Sequence, residues 1–202
     1  EEKALARIQK LCNEYQTGFH THSNESQFDV EENIRRYGMR PIQTLEHFGM
    51  FDVPKALLAH CVWSNAAEIE ILKHYNVGVA HNPISNMKLA SGAAPIMQML
   101  QQGIAVGLGT DGEKENNNLD MFEEMKTASL LAKFSGLDAA ALDAWSVCQM
   151  ATSMGAKALG MQHQIGSLEA GKLADLIAVD IATPRMTPLI DQGRLFNVHS
   201  NL

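Results

Sequence analysis

Apolar positions recur along this chain in two alternating rhythms. In residues 1–15, Leu5, Ile8, Leu11 and Cys12 fall at three- and four-residue spacing, which predicts an amphipathic helix. A short apolar run at residues 18–22 then predicts a strand. The change of rhythm returns three more times. Strands are predicted at residues 56–61, 77–81 and 104–110, each followed by a helix, at residues 65–75, 94–102 and 120–134. Further helical stretches are predicted around residues 30–36 and 41–48, and one or two over 138–159. Gly38, Gly49 and Gly103 punctuate the pattern, Asn65 suits a helix cap, and Pro95 sits near a first turn. Residues 85–92 read as a loop.

Strands alternating with helices predict an α/β fold with a parallel sheet. The count of four strand-helix units is half of what closes an eight-unit β/α barrel of about 250 residues. After Gly160 the rhythm changes. Residues 165–180 are turn-rich, end in the run Leu176-Ile-Ala-Val179, and predict a β-hairpin outside the barrel pattern. The expected organisation is residues 1–162 as half of a barrel and residues 163–202 as a separate segment outside it. No cap residue precedes the first helix and no closing strand follows residues 196–201, so the expectation is a fragment of a longer chain.

The predicted strands end on reactive side chains. The first carries His20 and His22, with Glu25 three residues on; the others lead to His60, His81 and Asp111. Intervals of roughly 20–40 residues match one strand-helix unit, and a barrel builds its active site from the C-terminal ends of several strands. Any one of these residues alone is more often structural; the ordered series is the signal. His81 fits either a place near the site or a partner of the Asn82-Pro83 turn, and His20 fits either site support or packing. Trp63 fits either the lining of a pocket or the core. Asn116 to Asn118 are expected to cap the next helix, and Glu123 and Glu124 to suit its dipole with no other role.

Composition narrows the classes. The 202 residues are 46% hydrophobic and 19% charged, an ordinary globular balance. A formal charge of −7 argues against nucleic-acid binding, which needs a basic face. No polybasic run marks a membrane patch, and no apolar stretch reaches the roughly 18 residues of a membrane span. Cys12, Cys61 and Cys148 are odd in number and widely spaced, which predicts reduced thiols and a cytoplasmic location. The eleven methionines suit core filling.

The motifs His20-Thr-His22-Ser-Asn-Glu25, Leu58-Ala-His60-Cys-Val, Ala80-His81-Asn-Pro-Ile-Ser-Asn-Met-Lys-Leu-Ala-Ser-Gly92 and Gly109-Thr-Asp111-Gly resemble the metal-dependent amidohydrolase superfamily. The likeness is to its aminohydrolase branch of cytosine, guanine and adenosine-type deaminases and triazine hydrolases. Gly166-Ser-Leu-Glu-Ala-Gly-Lys-Leu-Ala-Asp175 adds to the match. The stretch Asn116-Asn-Asn-Leu-Asp-Met-Phe-Glu-Glu-Met125 is most similar to deaminases of 5'-methylthioadenosine and S-adenosylhomocysteine. The resemblance implies a (β/α)8 barrel with a small β-sandwich, and one divalent metal ion, zinc or iron. It implies His22 and Asp111 as metal ligands, the counterparts of those on the fifth and eighth barrel strands. The His-x-His pair of the family's first strand has no counterpart here, because Glu25 marks the His22 strand as the fifth. Only the second half of the barrel is therefore expected.

Further roles follow from the same resemblance. Glu25 is expected to shuttle a proton to a ring nitrogen, His60 to hydrogen-bond the nucleophile, and Asp111 to accept its proton. His81 and Trp63 are expected near the substrate. The expected substrate is a small molecule, a purine nucleoside such as methylthioadenosine or S-adenosylhomocysteine, with guanine, cytosine or triazine rings as the alternative. Glu113-Lys114-Glu115 departs from the small residues of many relatives and leaves the ring open. No nucleic acid or membrane partner is expected, and a homo-oligomer is. A reading of another class also stands: a half-barrel without catalysis, whose open strand edges associate.

Overall fold

The computed structural model describes Glu2–Pro184. Helix α1 (Glu2–Glu14) leads into strand β1 (Phe19–Ser23), followed by α2 (Gln27–Tyr37) and α3 (Pro41–His47). Strand β2 (Ala56–His60) is followed by α4 (Ala66–His74), and β3 (Gly78–His81) by α5 (Pro83–Lys88) and α6 (Ile96–Gln101). Strand β4 (Val106–Leu108) precedes α7 (Glu113–Asn116), α8 (Met121–Gly136), α9 (Ala144–Ala151) and α10 (Ser153–Ala158). The strands form one parallel sheet in the order β1-β2-β3-β4. Parallel neighbours cannot be joined by a tight hairpin, so helices fill every crossover. This is the expected α/β architecture, with four of a barrel's eight strand-helix units.

The local signals explain the boundaries. Ser26 and Asn65 each accept a hydrogen bond from the third helical residue and close a capping box. Gly38 ends α2 at φ 70°, a left-handed backbone that glycine adopts without a Cβ penalty. Leu58, Val79 and Val106 lie in register across the sheet and are fully buried against Ile69, Leu72, Ile96 and Met99. The opposite face carries small residues. Register aligns Leu57 with Gly78 and Ala59 with Ala80 and Gly107. A Cβ on Gly78 would collide with the Ala158 carbonyl, and one on Gly107 would lie 2.9 Å from Gly155 Cα. These glycines let α10 lie directly on the N-terminal end of that face. His20 and His22 share the same face through their pairing with Leu57 and Ala59.

Three expectations need correction. Residues 85–92 are not all loop: Pro83 serves as the first residue of α5, where its missing N–H costs nothing. The helix over residues 120–134 is capped by Asp120, whose carboxylate accepts from Phe122 N at 2.8 Å, not by Asn116 to Asn118. No strand forms over residues 165–180. An apolar run such as residues 176–179 becomes a strand only when a neighbour takes its N–H and C=O groups. The rest of the expected sandwich segment, residues 185–202, lies outside the described residues. Among the described residues no helix is long and apolar enough to cross a membrane. Cys12, Cys61 and Cys148 are free thiols.

Candidate metal and catalytic centre

Strand alternation would place His60 with Leu58, on the helix-covered side of the sheet. Its φ of 71° breaks that alternation. The ring swings to the other face and stacks on His22, with centroids 5.3 Å apart and planes at 23°. Asp111, just past β4, has φ 61°, and Asn24, just past β1, has φ 54°. Left-handed backbone at a residue bearing a Cβ costs about 1–3 kcal/mol and clusters at functional sites. Here it aims His60 and Asp111 at one point, while Asn24 turns to Glu68.

His22, His60 and Asp111 offer ligand atoms that all lie within 4.8 Å of one another. His60 Nε2 is 3.7 Å from Glu25 Oε2 and 3.7 Å from Asp111 Oδ2. His60 is fully buried, and its Nε2 has no hydrogen-bond partner. Two imidazoles and a carboxylate are a donor set that suits zinc or iron, and the orphaned Nε2 aims at the shared space. The residues present fit a divalent ion. Of the expected site residues, the fold brings His22, Glu25, His60 and Asp111 together.

Helix α5 holds two of them in place. Asn86 Oδ1 lies 2.8 Å from His60 Nδ1 and accepts its proton, which leaves Nε2 as the bare nitrogen. The next residue back, Ser85, donates from Oγ to Asp111 Oδ2 at 2.6 Å. Burial pushes the Asp111 carboxyl up. The Ser85 hydroxyl, the Gly112 N–H and the His60 and His22 rings outweigh it and hold the group below its ordinary value. Ser85 and Asn86 stand inside a motif legible in the sequence, but the loop reading of that stretch hid their roles.

Two buried carboxylates brace the loops. Glu68, on α4, accepts from Asn24 Nδ2 at 3.0 Å, Ile42 N at 3.3 Å, Asn65 N at 3.1 Å and Arg40 Nε at 2.8 Å. Asn24 precedes Glu25, so this hub reaches the Glu25 side of the cluster. Glu124, on α8, accepts from Asn116 Nδ2 and from Ile84 N at 3.4 Å. Burial pushes its carboxyl up to about 7; the two donors oppose this, and the nearby Glu123 and Asp111 carboxylates reinforce it. The expectation that Glu124 merely suits a helix dipole is thus overturned. A glutamate in a first turn gives no sequence sign of being buried.

The other candidates sit further out. His81 is 2% exposed, and its Nδ1 has no partner. Burial and the neighbouring His60 ring hold it down to about 3, so it is neutral at ordinary pH. It lines a cavity of about 340 Å³ between α6 and α8 that none of the clustered side chains lines. His20 is exposed on β1; burial of its ring, and then the His22 and His60 rings, lower its basicity. Trp63 is 42% exposed and donates from Nε1 to Ser91 O at 2.7 Å. It ties the loop after β2 to the loop after α5.

The amidohydrolase family model matches residues 1–200. A 5-methylthioadenosine/S-adenosylhomocysteine deaminase of Syntrophomonas wolfei is 48% identical over 187 residues, covering 93% of this chain and 43% of the relative. A 5'-deoxyadenosine deaminase of Methanosarcina mazei is 47% identical over 190 residues, covering 94% of this chain and 43% of the relative. The chain therefore spans less than half the length of these relatives. The crystal structure of an adenosine deaminase from Xanthomonas campestris with bound zinc superposes with a TM-score of 0.88 at 36% identity, covering 95% of this chain and 43% of that one. A guanine deaminase from C. acetobutylicum, solved with guanine in its active site, gives a TM-score of 0.76 at 27% identity, over 84% of this chain and 41% of that one. With a family match over nearly its whole length and relatives close to half identical, the chain belongs to the amidohydrolase family.

Proposed function

We propose that this chain supplies the proton-transfer half of a metal-dependent hydrolytic deaminase acting on an adenine nucleoside, in the class of methylthioadenosine, S-adenosylhomocysteine and 5'-deoxyadenosine. The observation that carries the reading is the convergence of His22, His60 and Asp111, with Glu25 Oε2 3.7 Å from His60 Nε2. The names of the relatives support the nucleoside ring over the guanine, cytosine and triazine alternatives.

His22 and Asp111 would hold the ion, with His60 beside them. A bound divalent ion, zinc by preference, would lower the pKa of water so that a nucleophile exists near neutral pH. Asp111, held ionised by Ser85 and Gly112, takes a proton from the attacking water. His60, with its proton on Nδ1 toward Asn86, accepts a hydrogen bond from that water at Nε2 and orients it. Glu25 delivers a proton to the ring nitrogen beside the attacked carbon as aromaticity is lost, Asp111 passes the water's proton to the departing amine, and ammonia leaves. His81 and Trp63 flank the substrate side. As part of this reading the protein is cytoplasmic and homo-oligomeric, and residues 1–162 belong to the barrel.

The test is ammonia release by the full-length zinc-loaded protein with methylthioadenosine, S-adenosylhomocysteine, 5'-deoxyadenosine, guanine, cytosine and an aminotriazine. Turnover confined to the adenine nucleosides is expected. Preference for guanine, cytosine or the triazine, or no ammonia from any of them, overturns the reading.

A further inference from the structure

Glu124 is fully buried on α8, yet nothing in the proposed chemistry uses it. Its two oxygens reach different segments. Oε1 accepts from Asn116 Nδ2, which also donates to Thr110 O at 2.9 Å. Asn116 Oδ1 accepts from Leu119 N at 3.2 Å, so the amide cannot turn over without breaking contacts on both sides. Oε2 accepts from Ile84 N at 3.4 Å. Thr110 precedes Asp111, and Ile84 precedes Ser85, the residue whose hydroxyl bonds Asp111 Oδ2. One carboxylate therefore grips the backbone on both sides of the Ser85–Asp111 hydrogen bond.

We infer that Glu124 is a positioning residue for Asp111: acting through Asn116 and through the Ile84-Ser85 backbone, it fixes the carboxylate that holds the divalent ion. The inference rests on Asp111 being a ligand in the proposed function. Outer groups that orient a metal-binding carboxylate typically carry about 10- to 100-fold in metal affinity, because they set its direction before the ion arrives. A substitution at Glu124 removes that preset direction without removing a ligand atom. Glu124→Gln is the sharp probe. Whichever way the amide sits, it offers one acceptor and one NH2, so either Asn116 or Ile84 loses its partner.

The experiment uses full-length protein stripped of metal and titrated with Co2+ against a chelator, reading both affinity and the visible absorption of the bound cobalt. Glu124→Gln is expected to bind Co2+ about 10-fold more weakly, with an altered visible spectrum. Glu68→Gln, at the other buried hub, is expected to lower the melting temperature while leaving Co2+ affinity and spectrum close to wild type. The same pattern in Glu124→Gln would mean a merely structural role and overturn the inference. If Glu124→Gln does not fold, Asn116→Ala keeps the carboxylate and cuts its link to Thr110; wild-type affinity and spectrum there also overturn it. Asp111→Ala separates the two levels. Loss of Co2+ binding in Asp111→Ala with no change in Glu124→Gln sinks this inference alone, whereas unchanged binding in Asp111→Ala sinks the ligand assignment and this inference with it.

Discussion

Glu68 and Glu124 are the same side chain, both buried on helices, yet their surroundings differ in kind. Glu68 has the Arg40 guanidinium and three further donors drawn from the loops after β1 and β2 and from α3. Glu124 has two neutral donors, an amide side chain and a backbone N–H, and two carboxylates nearby. A buried charge needs a partner, and only Glu68 has a cation to meet it. The first hub, paired with Arg40, is a clamp beside Glu25. The second is a clamp beside Asp111 whose charge depends on pH. The Glu25 and Asp111 sides of one site are thus braced by different electrostatics.

The most severe way to separate the two sides is to remove the groups themselves. His22→Ala or Asp111→Ala in the full-length protein should abolish tight metal binding, as measured by metal content after purification. Full occupancy in either variant would contradict their assignment. Glu25→Gln should keep the metal and lower turnover by roughly 10²–10⁴-fold, read by steady-state kinetics beside a metal assay. Loss of metal there would move Glu25 to the ion-holding side.

The clamps differ more subtly. Arg40→Met strands the Glu68 charge and should cost stability toward the lower end of ~3–5 kcal/mol, because the Arg40 side chain is partly exposed. Denaturant unfolding of the metal-free protein checks this, and an unchanged midpoint would show that Glu68 needs no cation. The smallest effect is a pH slope. Glu124 is raised from 4.5 to about 7 in the fold, so the native state holds a proton that the unfolded chain releases. Its contribution to stability is full below about 4.5 and is lost as pH rises through about 7. The melting temperature of metal-free protein should therefore fall across that window, and Glu124→Gln should flatten the fall. A slope that survives in Glu124→Gln would assign it to another group.

The sheet was legible because buried strands announce themselves as short apolar runs, and each run ended near the residue that the fold uses. His22 and Asp111 could be read from motif and spacing. The αL turn at His60 could not: alternation alone would send that ring to the wrong face. Ser85 and Asn86 were hidden because residues 85–92 read as a loop after the Asn82-Pro83 turn, although proline is at home in a first helical turn. Glu124 was hidden because its neighbours in space, Asn116 and Ile84, come from other loops, and no periodicity records that meeting. The run at residues 176–179 shows the converse. Its composition favours a strand, but strand formation is a property of two segments and not of one.

Helix α5 is only six residues long, and it carries at adjacent positions the partners of the His60 ring and the Asp111 carboxylate. In the language of measurement, the two groups share one reference mark. A translation of the helix is a common-mode displacement, which shifts ring and carboxylate in the same direction and leaves their 3.7 Å separation nearly unchanged. Only rotation of the helix about its axis registers as a differential error. Translation still carries both groups relative to His22 on β1, so their pairing is protected from such a shift but the three-residue cluster is not.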